Sequence, residues 1–194
     1  MPPGFRIGKS SMVFSSVTFL YVFLPLVLLI YYIAPKRLKN LLILISGIIF
    51  YAWGEPVYVC LMLFTTLVDY TAGRLIARFD DRPKARLATM VTAVSINLLL
   101  LCIFKYSSFV ITNINQIFGL ALTDPELPLP IGISFYTFQS MSYTLDMYMR
   151  NISVQKNFIN YAAYVTLFPQ IVAGPIVRYK EVAAELEHRS ITLT

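Results

Sequence analysis

Charged residues are scarce in this chain, and so are the residues that most often hold metals or form disulfides. Only 13% of the 194 residues are charged, and there are one histidine and two cysteines. A soluble domain carries about 25% charged residues, so this chain has too little charge for a water-exposed surface. Cys60 and Cys102 lie inside apolar runs, which excludes a disulfide scaffold. One histidine with two such cysteines is too few for a zinc site.

The apolar content excludes a disordered chain and indicates an integral membrane protein. Hydrophobic residues make up 57% of the sequence, and the mean hydropathy is +0.67. The net charge of +6 is collected in short loops between apolar segments, as in membrane proteins. Nucleic-acid-binding proteins instead carry a basic surface stripe, so we expect the lipid bilayer as a partner and no nucleic acid. The sequence contains no Walker loop, dinucleotide fingerprint or Ser/His/Asp arrangement.

Apolar runs long enough to cross or enter a bilayer predict an all-α, polytopic helix bundle. A hydrocarbon core about 30 Å thick needs roughly 20 apolar residues in a helix. Six membrane-associated segments are predicted, at 13–33, 39–53, 57–73, 87–104, 131–148 and 161–177. We expect residues 12–194 to form one membrane unit and residues 1–11 to be an N-terminal extension, on the hypothesis that Met12 is the start. Residues 105–128 have helically spaced apolar residues, which suggests an amphipathic helix in the membrane interface.

The positive charges orient the predicted bundle. The loop at 34–40 contains three cations, the loop at 74–86 contains five cations and two anions, and the turn at 54–56 contains one anion. Cytoplasmic loops are enriched in Lys and Arg. We therefore expect a multi-pass protein of the inner or plasma membrane, with both basic loops in the cytoplasm and the N-terminus outside.

The fifth segment carries a polar stripe on one helical face. At about 100° per residue, five polar side chains fall within an arc of about 120°. They are Tyr136, Gln139, Ser140, Tyr143 and Asp146. Polar groups in hydrocarbon need water or partners, so the stripe forms the wall of a hydrated tunnel or is hydrogen-bonded to a neighbouring helix. Asp146 and Arg150 have the spacing of an ion pair, and Asp69 lies close to Arg74 in sequence.

The sixth segment contains a helix that is broken at membrane depth. The broken-helix motif consists of Pro169, Gly174, Pro175 and Arg178. Irregular backbone in a membrane is tolerated where it is buried in protein or lines a cavity. The break therefore predicts either a functional turn or a kink that serves packing. His188 lies in a polar tail and is expected at the surface, so the sequence identifies no catalytic residue.

Five short motifs stand in a fixed order along the chain. They are Met12–Ser16, Phe50–Trp53, Phe104–Tyr106, Leu129–Gln139 and Ala173–Arg178. In this order they resemble the alginate O-acetyltransferase-type branch of the membrane-bound O-acyltransferase family, over residues 12–194. The fourth motif adds Ser134 to the candidate residues of the fifth segment.

The resemblance implies an O-acetyltransferase whose helix bundle encloses a tunnel, and it favours the tunnel wall for residues 134–146. It implies transfer of an acyl group from a cytoplasmic donor, acetyl-CoA or an acyl carrier, toward hydroxyls of an extracytoplasmic polysaccharide such as alginate. It also implies an extracytoplasmic acetyltransferase as partner, and no bound cofactor or metal.

The length of the chain qualifies this resemblance. Family members are much longer, and their essential histidine lies downstream of the Ala-Gly-Pro motif. We therefore expect the chain to be an N-terminal portion that is inactive alone, with no catalytic residue of its own. Two alternatives from other classes are a transporter or export subunit and a membrane scaffold lining a polar cavity.

Overall fold

The computed structural model describes residues 17–124, 127–173 and 177–187, and no strand occurs among them. A π-helical stretch, Phe19–Phe23, leads into the first α-helix, and a 3-10 turn, Lys36–Leu38, precedes the second. The α-helices of the described residues are α1 (Leu24–Ile33), α2 (Lys39–Gly54), α3 (Val59–Arg78), α4 (Pro83–Phe118), α5 (Ile133–Tyr148), α6 (Phe158–Val165), α7 (Phe168–Ala173) and α8 (Tyr179–Glu187). The predicted all-α fold class is thereby confirmed.

Three helices of the described part are long and apolar enough to cross a bilayer. They are Lys36–Gly54, Val59–Arg78 and Pro83–Phe118, and a shorter apolar helix covers Phe19–Ile33. These helices contain the predicted segments 39–53 and 87–104 and most of 57–73. The apolar runs thus form helices of a membrane protein where the sequence predicts them.

The longest helix differs from its expectation. α4 has 36 residues, which corresponds to about 54 Å at 1.5 Å per residue. It continues without a break through 105–118, where a separate interfacial helix was expected. The reason is that no proline or glycine occurs between Lys84 and Phe118, so nothing interrupts the backbone hydrogen bonds. The helix ends at Gly119, whose φ of 63° is a left-handed conformation that glycine adopts readily.

Helix α5 lies at the centre of the bundle. It contacts α3, α4, α6, α7 and α8, and ten of its sixteen residues are buried. By contrast, α1 contains no buried residue and α4 contains only four. The polar face of α5 is therefore surrounded by protein, whereas the large apolar side chains of α1 and α4 point outward.

Glycine at position 73 permits the close approach of α3 and α5. A Cβ atom on Gly73 would lie 2.5 Å from Cε1 of Tyr143 on α5, which is closer than van der Waals contact allows. At the start of α5, Gly132 has a φ of +74°, and a Cβ there would lie 2.5 Å from the carbonyl oxygen of Ile171. α5 is thus packed against α3 along its side and against α7 at its N-terminus.

The basic connections meet at one end of the bundle. The Arg74 guanidinium donates to the carbonyl of Lys156 at 3.2 Å. The Asn40 side-chain amide donates to Oδ1 of Asn160 at 2.8 Å. The loops at 34–40 and 74–86 therefore both adjoin the start of α6, the first at Asn160 within its first turn and the second at Lys156 just before it.

Candidate functional site: the polar surroundings of α5

A buried carboxylate joins three helices on one side of α5. Asp69 of α3 is fully buried. Its Oδ1 accepts a hydrogen bond from the Thr144 hydroxyl of α5 at 2.6 Å, and its Oδ2 accepts one from the Asn97 side-chain amide of α4 at 2.8 Å. Ser140 also faces this carboxylate. Hydrogen bonds between side chains of different helices stabilise helix association in membranes, so this network connects α3, α4 and α5.

Asp69 does not pair with its sequence neighbour Arg74. The Arg74 guanidinium turns instead to the carbonyl of Lys156, because Asp69 is directed into the helix junction. The polar residues Asn97 and Thr144 were not among the candidate residues. Asn97 could have been identified from the sequence as an isolated asparagine within an apolar helix, because polar groups in hydrocarbon need a partner.

The side chain of Gln139 holds the broken sixth segment on another side of α5. Its Nε2 donates to the carbonyl of Tyr164 and to Oε1 of Gln170, both at 2.9 Å. Tyr164 is in the last turn of α6, where carbonyls lose their intrahelical donors. Gln170 belongs to α7. One amide therefore connects the end of α6 and the body of α7 to the central helix.

The remaining tyrosines of the stripe pack against other aromatic rings. Tyr136 lies edge-on to Tyr51 of α2, with ring centroids 6.1 Å apart, and both hydroxyls are buried. Tyr143 packs against Tyr161, with centroids 4.6 Å apart, and its hydroxyl accepts the backbone N–H of Gln155 at 3.2 Å. Both side chains thus contribute to the core between α5 and its neighbours.

The expected ion pair between Asp146 and Arg150 is wrong. Helix α5 ends at Tyr148, and Arg150 has a φ of 60°, so the spacing of a continuous helix no longer applies at this residue. The Arg150 guanidinium contacts Oδ1 of Asp80 at 3.0 Å. Asp146 is buried, and its Oδ1 accepts a hydrogen bond from the Asn151 amide at 3.2 Å.

A neighbouring arginine fixes the same end of α5. Arg86 of α4 is buried and donates to the carbonyl of Tyr148 at 2.9 Å. It also forms an ion pair with Asp80 at 3.2 Å. Cations near the C-terminus of a helix are favoured because the last carbonyls are unpaired and carry partial negative charge.

The broken-helix motif is described in part. Gly174 and Pro175 lie outside the described residues. The break that the structure describes is at Thr166 and Leu167, between α6 and α7, and Pro169 is the second residue of α7. Arg178 is exposed just before α8.

Two grooves of the described residues lie away from the polar stripe. One of about 350 Å³ between α3 and α4 is lined by side chains that include Thr71, Ala72 and Thr92. The other, of about 330 Å³ between α1 and α2, has an apolar lining that includes Trp53. Ser134 is half-buried near the start of α5. Among the described residues, no group of three or more His, Cys, Asp or Glu side chains could hold a metal ion.

These features define a helical membrane protein whose central helix is held by buried polar contacts. The chain is 39% identical over 188 residues to the probable alginate O-acetylase AlgI of Pseudomonas aeruginosa, which covers 94% of this chain and 36% of that relative. It is 37% identical over 186 residues to the probable alginate O-acetylase AlgI of Azotobacter vinelandii, covering 94% of this chain and 37% of the relative. The peptidoglycan O-acetyltransferase of Helicobacter pylori is 27% identical over 208 residues, covering 92% and 39%.

These similarities confirm the resemblance inferred from the motifs. The chain is a relative of the alginate O-acetylases and spans a little over a third of their length. No family model matches the chain, and no solved structure matches it.

Proposed function

We propose that this chain is part of a membrane O-acetyltransferase that modifies a polysaccharide. The observation that carries the proposal is the 39% identity to an alginate O-acetylase over 94% of the chain. The acetyl group comes from a cytoplasmic donor, acetyl-CoA or an acyl carrier, and reaches hydroxyls of an extracytoplasmic polysaccharide such as alginate. An extracytoplasmic acetyltransferase is the expected partner in this transfer.

The chain contributes an N-terminal, tunnel-forming portion, and the group that activates the acceptor hydroxyl lies in another part of the protein. Two observations support this division. The chain matches little more than a third of its relatives, and the buried Asp69 is engaged by Asn97 and Thr144. We expect residues 1–194 alone to catalyse no acetyl transfer.

The tunnel wall is formed by the N-terminal half of α5 and the break between α6 and α7. Irregular backbone at membrane depth is tolerated beside a cavity or within protein, and Gln139 is the α5 side chain that contacts both sides of the break. Ser134 lies on the same half of α5. Ser140, Tyr143 and Asp146 belong instead to the contacts that hold the bundle.

The protein lies in the inner or plasma membrane with its N-terminus outside. The basic loops at 34–40 and 74–86 meet at one end of the bundle, and the positive-inside rule places such an end in the cytoplasm. The proposed donors are anionic, so a basic cytoplasmic end would also attract them.

Deletion of the gene in its source organism tests the proposal. We expect the polysaccharide to be secreted in normal amount but without ester-linked acetyl groups, measured by proton NMR before and after mild alkaline treatment. Complementation with the intact gene should restore the acetyl groups. Loss of secretion would instead support an export subunit, and an unchanged acetyl content would overturn the proposal.

Substitution of Gln139 tests the position of the tunnel wall. We expect Gln139→Leu in the intact protein to reduce polysaccharide acetylation, because it frees the α6–α7 break from α5. Thr65→Val is the matched control, since the buried Thr65 hydroxyl donates to the carbonyl of Met62 in its own helix α3 at 2.9 Å, away from the break. Equal acetylation by both variants at equal membrane abundance would contradict the assignment.

A further inference from the structure

The described residues between Phe158 and Glu187 enter the bundle and return to the same end of it. The Asn40 side-chain amide, in the basic loop before α2, donates to Oδ1 of Asn160 at 2.8 Å and to the carbonyl of Leu186 at 2.9 Å. Asn160 lies in the first turn of α6, and Leu186 lies in the last turn of α8. Both ends of this segment therefore lie beside the start of α2.

The middle of the segment reaches the other end of the bundle. The Ile171 carbonyl of α7 lies against Gly132, where a Cβ atom would be 2.5 Å from its oxygen. Gly132 directly precedes α5, whereas the Tyr148 carbonyl at the other end of α5 binds Arg86 of the basic loop. Because α5 has 16 residues, its two ends are about 24 Å apart. The segment is therefore a re-entrant hairpin, with α6 and α7 in its ascending arm and Val177 and α8 in its returning arm.

The Tyr164 side chain joins the two arms of this hairpin. Tyr164 belongs to α6, and its hydroxyl donates to the carbonyl of Val177 in the returning arm at 2.8 Å. The side chain is 1% exposed, and its ring packs edge-on against that of Tyr179 at the start of α8, with centroids 5.2 Å apart. A buried hydrogen bond and a ring contact therefore hold the arms together.

The same residue connects the hairpin to the central helix. The Tyr164 carbonyl accepts Nε2 of Gln139 at 2.9 Å, and the Gln139 carbonyl lies 3.3 Å from the Tyr164 hydroxyl. Gln139 also donates to Oε1 of Gln170 in α7 at 2.9 Å. Tyr164 and Gln139 together thus fix the end of α6, the body of α7 and the start of the returning arm.

The hydroxyl of Tyr164 adds a defined geometry to this packing. A phenylalanine would make the same ring contact and would leave no buried hydroxyl in need of a partner. A hydrogen bond restricts the distance and direction between its two groups, and a satisfied buried network favours one arrangement of the core. The bond to Val177 therefore sets how the ascending and returning arms stand relative to each other.

We propose that Tyr164 is a positioning residue for acetyl transfer, which fixes the hairpin tip, Phe168–Ala173, beside the N-terminal half of α5. This inference rests on the proposed function, in which the break between α6 and α7 lines the tunnel. Tyr164 acts through the tip and does not touch the acetyl group. The position of the tip matters because a displacement of about 1 Å in a reactive site can lower a rate about 100-fold.

Removal of the Tyr164 hydroxyl in the intact protein tests this role. Tyr164→Phe keeps the ring contact and removes the hydrogen bond between the arms. We expect polysaccharide acetylation at equal membrane abundance to fall by about two- to tenfold, the factor by which one neutral hydrogen bond shifts a local equilibrium. Tyr70→Phe is the matched control, because the Tyr70 hydroxyl donates to the carbonyl of Lys156, before the hairpin, at 2.6 Å. This variant should keep its acetylation.

A thiol at the hairpin tip reports its position independently of acetyl transfer. In a background with Cys60→Ala and Cys102→Ala, Ile171→Cys places a thiol where the isoleucine is fully buried. We expect Tyr164→Phe to accelerate its reaction with N-ethylmaleimide by about two- to tenfold, and Tyr70→Phe to leave the rate unchanged. Ala93→Cys, at a buried position of α4, should react equally slowly in both variants, because the rest of the bundle stays closed.

Three outcomes would overturn the proposal. An unchanged Ile171→Cys rate in Tyr164→Phe would show that the hydroxyl does not hold the tip. A faster rate with unchanged acetylation would show that transfer does not depend on the position of the tip. Equal losses of acetylation in Tyr164→Phe and Tyr70→Phe would assign the effect to general stability. Absence of acetylation even with the unsubstituted protein would overturn the proposed function, and the thiol rates would still show whether Tyr164 holds the tip.

Discussion

Replacement of Asp69 by alanine should weaken the junction of α3, α4 and α5. The substitution removes two hydrogen bonds between helices, from Thr144 at 2.6 Å and from Asn97 at 2.8 Å. Such bonds average about 0.6 kcal/mol in membrane proteins and reach about 1.7 kcal/mol. We therefore expect the free energy of unfolding to fall by roughly 1–3 kcal/mol. The loss stays modest because Asn97 keeps its hydrogen bond to the carbonyl of Ala93 at 3.1 Å.

A double-mutant cycle isolates the bond between Asp69 and Thr144. The variants are Asp69→Ala, Thr144→Val and their combination. Each is made in the intact protein and unfolded reversibly in mixed micelles. We expect a coupling energy of about 0.6–1.7 kcal/mol. Thr166→Val is the matched control for Thr144→Val, because the Thr166 hydroxyl is buried but donates only within its own turn, to the carbonyl of Ala162 at 2.8 Å.

The control cycle should show near-additive effects. Thr166 packs against Gly47 of α2, and it shares no hydrogen-bond partner with Asp69. Distant sites add within about 0.3–0.5 kcal/mol. A coupling between Asp69 and Thr144 no larger than that of the control would refute the view that this carboxylate holds the three helices together.

Two further predictions concern packing and topology. Gly73→Val should lower the free energy of unfolding by about 1–3 kcal/mol, because the valine side chain would collide with the buried ring of Tyr143. Gly54→Val is the control, since a Cβ at Gly54 has nothing within 4 Å, and it should lower the free energy of unfolding by less. Equal losses would contradict the packing argument. For topology, in a background without native cysteines, Glu55→Cys should react with a membrane-impermeant maleimide in whole cells and Arg82→Cys only after permeabilisation, whereas the reverse pattern would place the N-terminus inside.

The apolar helices could be predicted from the sequence because the bilayer sets their length. Segments 39–53 and 87–104 lie within α2 and α4, since an apolar run in lipid has few alternatives to a helix. The end of α4 was harder to predict, because residues 105–118 mix apolar and polar side chains. Amphipathic composition shows which faces differ, but it does not show where a helix stops.

The break in segment 161–177 shows that a motif can indicate where a helix is interrupted without giving the residue at which the helix ends. The prediction placed interruptions at Pro169, Gly174 and Pro175, whereas α6 already ends at Val165. A proline ring clashes with the carbonyl four residues earlier, which here is that of Val165. Pro169 itself then occupies the first turn of α7, where its missing N–H is not needed.

The polar stripe of α5 separates into two interfaces once its partners are known. Gln139 and Ser140 are adjacent in sequence and point about 100° apart, so one wheel arc includes both although their neighbours differ. Gln139 meets the ends of α6 and α7, and Ser140 faces the carboxylate of Asp69. Substitutions on the Ser140 side should therefore lower the stability of the bundle without a specific effect on acetyl transfer, and those on the Gln139 side should reduce acetyl transfer by more than their loss of stability explains. The helical spacing of a sequence gives the direction of each side chain but not the residue that it contacts. The separation of the polar stripe into two interfaces could therefore be seen only in the structure.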